Sequence, residues 1–158
     1  MLRNFVLAVW LVGLPAFAQT ASSVQPASPP DPKEIVALES NLLDLNAAGN
    51  CEELGKLLLP EFKAVSLVIS NREQTIEICR KLHDTCTVTH SPMSQQQVDI
   101  LSADVVGLVY KTGIVTLCGN KKANLTVNAT SVWVRSEGDW KLHLHTERTI
   151  AGFAVQTQ

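Results

Sequence analysis

Residues 131–147 (SVWVRSEGDWKLHLHTE) restrict the fold more than any other stretch of this chain. Val132 to Arg135 is β-branched and aromatic, and Ser136-Glu137-Gly138-Asp139 carries a turn signal. Trp140 to His145 then alternates apolar with polar side chains. Period-2 alternation on either side of a Gly/Asp turn predicts a β-hairpin. The upstream sequence can be fitted to that hairpin as further strands of one sheet, or as helices packed on it.

The strands continue backwards from it. Leu125–Arg135 is preceded by a polar turn, Cys118-Gly119-Asn120-Lys121-Lys122, and that by Tyr110–Leu117. Val98–Leu101 and Val105–Tyr110 flank Ser102-Ala103-Asp104 as another hairpin. Earlier still the period changes. Ile35, Leu38, Leu42 and Leu45 recur at helical spacing, predicting a helix from Pro32 to about Ala48 that ends at Gly49-Asn50. A short helix, Cys51–Leu59, should stop at Pro60, and Phe62–Ile69 reads as a strand. Ser70 or Asn71 then caps a third helix, Arg72 to about Leu82. Helices first and an antiparallel meander after them make an α+β layout.

The ends are a different kind of sequence. Arg3, an apolar run from Phe5 to Leu14, and Ala16-Phe17-Ala18 have the layout of a secretory signal peptide, residues 1–18. Residues 19–32, with four prolines and no apolar period, read as a disordered leader. The domain is expected at 33–150, with a tail at 151–158. Export implies a periplasmic or extracellular protein with no membrane attachment after cleavage. A net charge of −2 with both signs scattered gives no basic footprint for nucleic acid.

Four cysteines in an oxidising compartment favour two disulfides, and sequence alone allows three connectivities. A hairpin centred on Ser102-Ala103 brings Cys86 opposite Cys118, which would leave Cys51 for Cys79. Pro92 interrupts the strand between and can shift that register.

Extending the register through the two later turns sets Tyr110 opposite Thr130, and Thr130 opposite His145. The next row is Thr112, Asn128 and Glu147. Opposed side chains share a face, so these six residues form the candidate ligand-binding row, with His145 and Tyr110 as a candidate acid–base pair. The opposite, more apolar face would carry Val127, Trp133, Trp140 and Leu142. A one-residue slip would exchange the two faces. The bland alternative is that the polar groups satisfy one another or face water. His83 and His90 lack carboxylates at ligand spacing, so no metal site is expected, and no motif asks for a cofactor. Asn124-Leu125-Thr126 and Asn128-Ala129-Thr130 match the glycosylation tripeptide, but both fall on a predicted strand.

Leu45-Asn46-Ala47-Ala48-Gly49-Asn50, Pro60-Glu61-Phe62 and above all Ser131–Arg135, Gly138–Lys141 and His145–Glu147 resemble the nuclear transport factor 2-like superfamily. The likeness is nearest to its SnoaL-like and domain-of-unknown-function 4440 members. The resemblance implies a cone: a strongly bent antiparallel sheet wrapped around three N-terminal helices, enclosing a pocket and tending to form a homodimer. Exported relatives also resemble this chain in the placing of the two cysteines after the third helix. That fold hosts many chemistries and cannot fix a function. The first expectation is an exported domain that holds a small apolar molecule without catalysis. The alternatives are an isomerase, cyclase or dehydratase using His145 and Tyr110, and a structural dimerisation module.

Overall fold

A computed structural model describes residues 29–151 and 156–157 of the 158-residue chain. The expected signal peptide, and the leader up to residue 28, lie outside the described residues. Among the described residues no helix is long and apolar enough to cross a membrane.

Helix α1 (Pro32–Ala47) starts where the sequence supplies every start signal: Asp31 accepts a hydrogen bond from the Lys33 amide, Pro32 occupies the first turn and Glu34 follows. Helix α2 (Cys51–Leu57) is two residues shorter than expected. Strand β1 (Leu58–Val65) takes over at once, and Pro60 sits in the break, between Leu58 and Lys63, of its parallel ladder with the strand that holds Leu142 and Thr146, a position that needs no amide donor. The expected strand 62–69 is therefore a small hairpin, β1 with β2 (Ile69–Asn71). Its tip exposes Leu67 and Val68. Helix α3 (Arg72–Thr85) opens with a reciprocal capping box between Asn71 and Gln74.

The remaining strands are β3 (Cys86–His90), β4 (Ser94–Ser102), β5 (Val105–Cys118), β6 (Lys121–Ser136), β7 (Asp139–Ala151) and β8 (Gln156–Thr157). They form one strongly curved, unclosed sheet in the order β2-β1-β7-β6-β5-β3, with β4 also on β5 and β8 on β6. The class is α+β as expected, but the sheet is mixed. β1 reaches the free edge of β7 from a helix rather than through a hairpin, and it pairs there in parallel. The tail is not wholly outside the fold, since Gln156 and Thr157 pair with Lys122 and Lys121.

Register is where expectation and structure part. The hairpin of β6 and β7 turns at Glu137-Gly138, both at positive φ, with Trp133 opposite Leu142. The β5–β6 turn is tighter than the sequence suggested. It closes on Gly119-Asn120, with Cys118 directly opposite Lys121 and Gly119 at φ +57°. Tyr110 therefore faces Ala129 and not Thr130, and every side chain of β6 changes sides. A further shift between Val132 and Trp133 sets Ser131 opposite His145. Trp133, expected on the face away from Tyr110, is completely buried beside it under α1.

Cys86 and Cys118 are opposed across β3 and β5 and bridged. Cys51 and Cys79 join the start of α2 to α3. Ser91-Pro92-Met93 separates β3 from β4, and the register on β5 differs on its two sides. The pairing of Cys86 with Cys118 therefore belongs to β3 alone.

Candidate functional site

The site begins with an acid in the middle of an apolar helix face. Glu39 lies one turn after Ile35 and just before Leu42, and all three are buried against the sheet. A buried carboxyl group needs donors, and three strand side chains supply them. Tyr110 Oη and Ser131 Oγ each donate to Glu39 Oε1 at 2.8 Å, and Trp133 Nε1 donates to Oε2 at 2.8 Å. β5 and β6 present these groups because, in the observed register, even residues of β5 and odd residues of β6 point inward.

His145 joins this group from β7. The single Ser131 hydroxyl proton goes to Glu39, so Ser131 Oγ accepts from His145 Nδ1–H at 2.9 Å. On its other side His145 Nε2 lies 3.2 Å from Glu147 Oε1, an acceptor, so that nitrogen donates too. Both ring nitrogens carry protons in this arrangement. Burial opposes the charge on His145, but the hydrogen bond to Glu147 and the negative fields of Glu39 and Glu147 outweigh it and raise the imidazole above its ordinary value. Burial also opposes the charge on Glu147, and the bond and charge of His145 outweigh it, holding that carboxyl below its ordinary value. Burial, and then the Glu39 charge, push the Tyr110 phenol far upward, so it stays a neutral donor.

Beside this cluster is a cavity of about 230 Å³ between α1, α2, α3, β1 and β7. Its walls include Leu42, Leu54, Phe62, Leu82 and Leu142, and the Cys51–Cys79 bridge contributes Cys79. His145 and Glu147 are the ionisable side chains that reach it; their side chains are 13% and 26% exposed, so Glu147 is the more open of the two. Val65, Ser66 and Val68 of the β1–β2 hairpin form part of the rim.

Of the six residues in the candidate row, the cavity brings together His145 and Glu147. Tyr110 is inward but lies behind the wall, engaged with Glu39. Thr112 is buried, and its hydroxyl donates to the Ser91 carbonyl at 2.7 Å, away from the cavity. Asn128 and Thr130 are on the other face of β6, Asn128 exposed, for the reason of register given above. Glu39, Ser131 and Trp133 were missed. The signal for Glu39 was present, an acid at i+4 from Ile35 on the apolar stripe. His83 and His90 serve as struts: the first bonds the Asn46 carbonyl at 2.6 Å and the second Asp44 at 3.0 Å, each holding α1.

No protein-family model matches the sequence, and no curated protein does. Solved structures of the same architecture are numerous. A protein assigned as a scytalone dehydratase from Novosphingobium aromaticivorans superposes with a TM-score of 0.70 at 14% identity, over 79% of this chain and 89% of that one. A hexachlorocyclohexane dehydrochlorinase from Novosphingobium barchaimii gives 0.68 at 16%, over 77% and 87%. A nuclear transport factor 2-like protein from Cytophaga hutchinsonii gives 0.67 at 17%, over 77% and 100%. At such identities the likeness is one of fold, and the fold is the nuclear transport factor 2-like cone.

Proposed function

We propose that this chain binds a small, largely apolar molecule in the cavity between its helices and its sheet. The observation that carries this reading is the cavity itself, apolar walls of about 230 Å³ with two ionisable side chains on one of them. Concave, apolar and sparsely polar is the usual make-up of a ligand site. An apolar cavity of roughly 150 Å³ already accepts benzene, so there is room here for a ring with a short side chain. Native mass spectrometry of the purified protein tests it, with a bound small molecule as the expected result. A protein that carries none, and whose melting temperature no apolar compound of this size raises, would not be a binder.

A second reading is an isomerase, cyclase or dehydratase, favoured by one observation: His145 stands on the cavity wall between Ser131 and Glu147. Proton transfer in that reading runs through His145 and Glu147, since the Tyr110 phenol is engaged elsewhere. Dehydratase and dehydrochlorinase neighbours of like fold agree with it. Incubating the protein with its co-purified molecule separates the two, because a binder returns the molecule unchanged.

Within the fold we place the chain beside the SnoaL-like and domain-of-unknown-function 4440 proteins, on the strength of residues 131–147. We read it as exported and cleaved after Ala18, a reading that two disulfides support. We also read it as a homodimer. The outer sheet face exposes Val109 and Leu117, which supports an interface there, and light scattering tests it.

A further inference from the structure

The hydrogen-bonding capacity left over at the polar wall is one-sided. Tyr110, Ser131 and Trp133 all donate to Glu39. Both His145 nitrogens are occupied, one with Ser131 and one with Glu147. Glu147 Oε1 receives His145, while Oε2 has no hydrogen-bond partner among the described residues. The cluster thus offers no free donor, and Glu147, which lines the cavity, keeps one carboxylate oxygen without a hydrogen bond.

Charge points the same way. The His145 Nδ1 atom is 3.7 Å from Glu39 Oε1, so the imidazolium is shared between two carboxylates and the group is negative as a whole. Asn46, Ser66, Ser70 and Thr75 also line the cavity, but an amide or hydroxyl can both give and accept. They do not discriminate. A ligand carboxylate placed here would lose its hydration and meet a like charge. A hydroxyl or ammonium group would find an acceptor already held in place by His145.

We infer that the cavity takes apolar molecules bearing a hydrogen-bond donor, an alcohol, phenol or amine, which bonds Glu147 Oε2, and that it rejects the corresponding carboxylates. This rests on the binding reading above and narrows it. Fatty and aromatic acids, common occupants of apolar pockets, are disfavoured by the same like charge.

Four probes of one skeleton and about ten non-hydrogen atoms, a size suited to such a pocket, decide the matter: 3-phenylpropylamine, 3-phenylpropan-1-ol, 3-phenylpropanoate and propylbenzene. Binding to the full exported chain is measured by calorimetry at neutral pH. The amine and alcohol should bind at least about tenfold more tightly than the carboxylate, the worth of one charge-assisted hydrogen bond. Glu147→Gln should reduce the gap between amine and carboxylate. A carboxylate that binds as well as the amine would overturn the inference and leave the binding reading standing, as would propylbenzene binding as tightly as the amine and alcohol. If none of the four binds, the inference falls, and the binding reading is decided by the native mass spectrometry and melting-temperature measurements above.

Discussion

Glu39 Oε2 accepts a 2.8 Å hydrogen bond from Trp133 Nε1, joining the first helix to a strand 94 residues later. Both side chains are fully buried. The bond locks α1 onto the inner face of the sheet, and with Tyr110 and Ser131 it makes one carboxyl group the meeting point of α1, β5 and β6.

The first prediction concerns that meeting point. Glu39→Ala leaves three buried donors unpaired and opens a void, so it should cost about 3–5 kcal/mol of unfolding free energy. Glu39→Gln keeps the volume but turns an amide donor toward either Trp133 or the Tyr110–Ser131 pair, and should cost about 1–3 kcal/mol. Urea denaturation measures both. An Ala variant within about 0.5 kcal/mol of wild type would mean that Glu39 does not organise the core.

Much of the scaffold was legible because local chemistry dictates it. Pro32 after Asp31, the Asn71–Gln74 pair and Glu137-Gly138 each fix an end or a turn by themselves. The face of β6 was not legible for the same kind of reason. Cys118-Gly119-Asn120-Lys121-Lys122 admits a two-residue turn or a three-residue one, and the resulting shift of one residue in the pairing moves Thr130 out and Ser131 in. His145 and Glu147 kept their inward side because a bulge between Val132 and Trp133 absorbed a second slip. Two small displacements, neither written in composition or period, separate the expected row from the observed site.

The corrected register makes its own prediction, on neighbours in sequence. Ser131→Ala removes a donor from Glu39 and the acceptor of His145 Nδ1–H, and should cost about 1–3 kcal/mol. Thr130→Ala, on the outer face, should stay within about 0.5 kcal/mol. The reverse order in a denaturation experiment would restore the original register and remove Ser131 from the site.

Stability should also vary with pH in a stated sense. The His145 imidazole is raised above 6.5 in the folded protein, so its charge contributes fully below that value, and the contribution is lost as pH rises through the folded value. Glu147 is lowered below 4.5, so its contribution is present above that value and is lost as pH falls through the folded one. Unfolding free energy should therefore form a plateau between 4.5 and 6.5 and decline on the alkaline side. In His145→Asn the alkaline decline should flatten. An unchanged slope would show that His145 does not gain its proton from the fold.

The two disulfides should be separable by function. They close loops of similar length, with sequence separations of 28 and 32, so chain entropy assigns each about 3.5 kcal/mol. Their positions differ. Cys79 lines the cavity and ties α3 to α2, whereas Cys86 and Cys118 lie on the sheet away from it. Replacing either pair by serine should lower stability by roughly 2–4 kcal/mol. Only Cys51→Ser with Cys79→Ser should also weaken ligand binding, because that bridge fixes the spacing of the helices that form the wall. Calorimetry on the two double variants, at a temperature where both remain folded, makes the comparison. Equal loss of affinity in both would mean that the cavity depends on global stability, and that the α2–α3 bridge has no special hold on its shape.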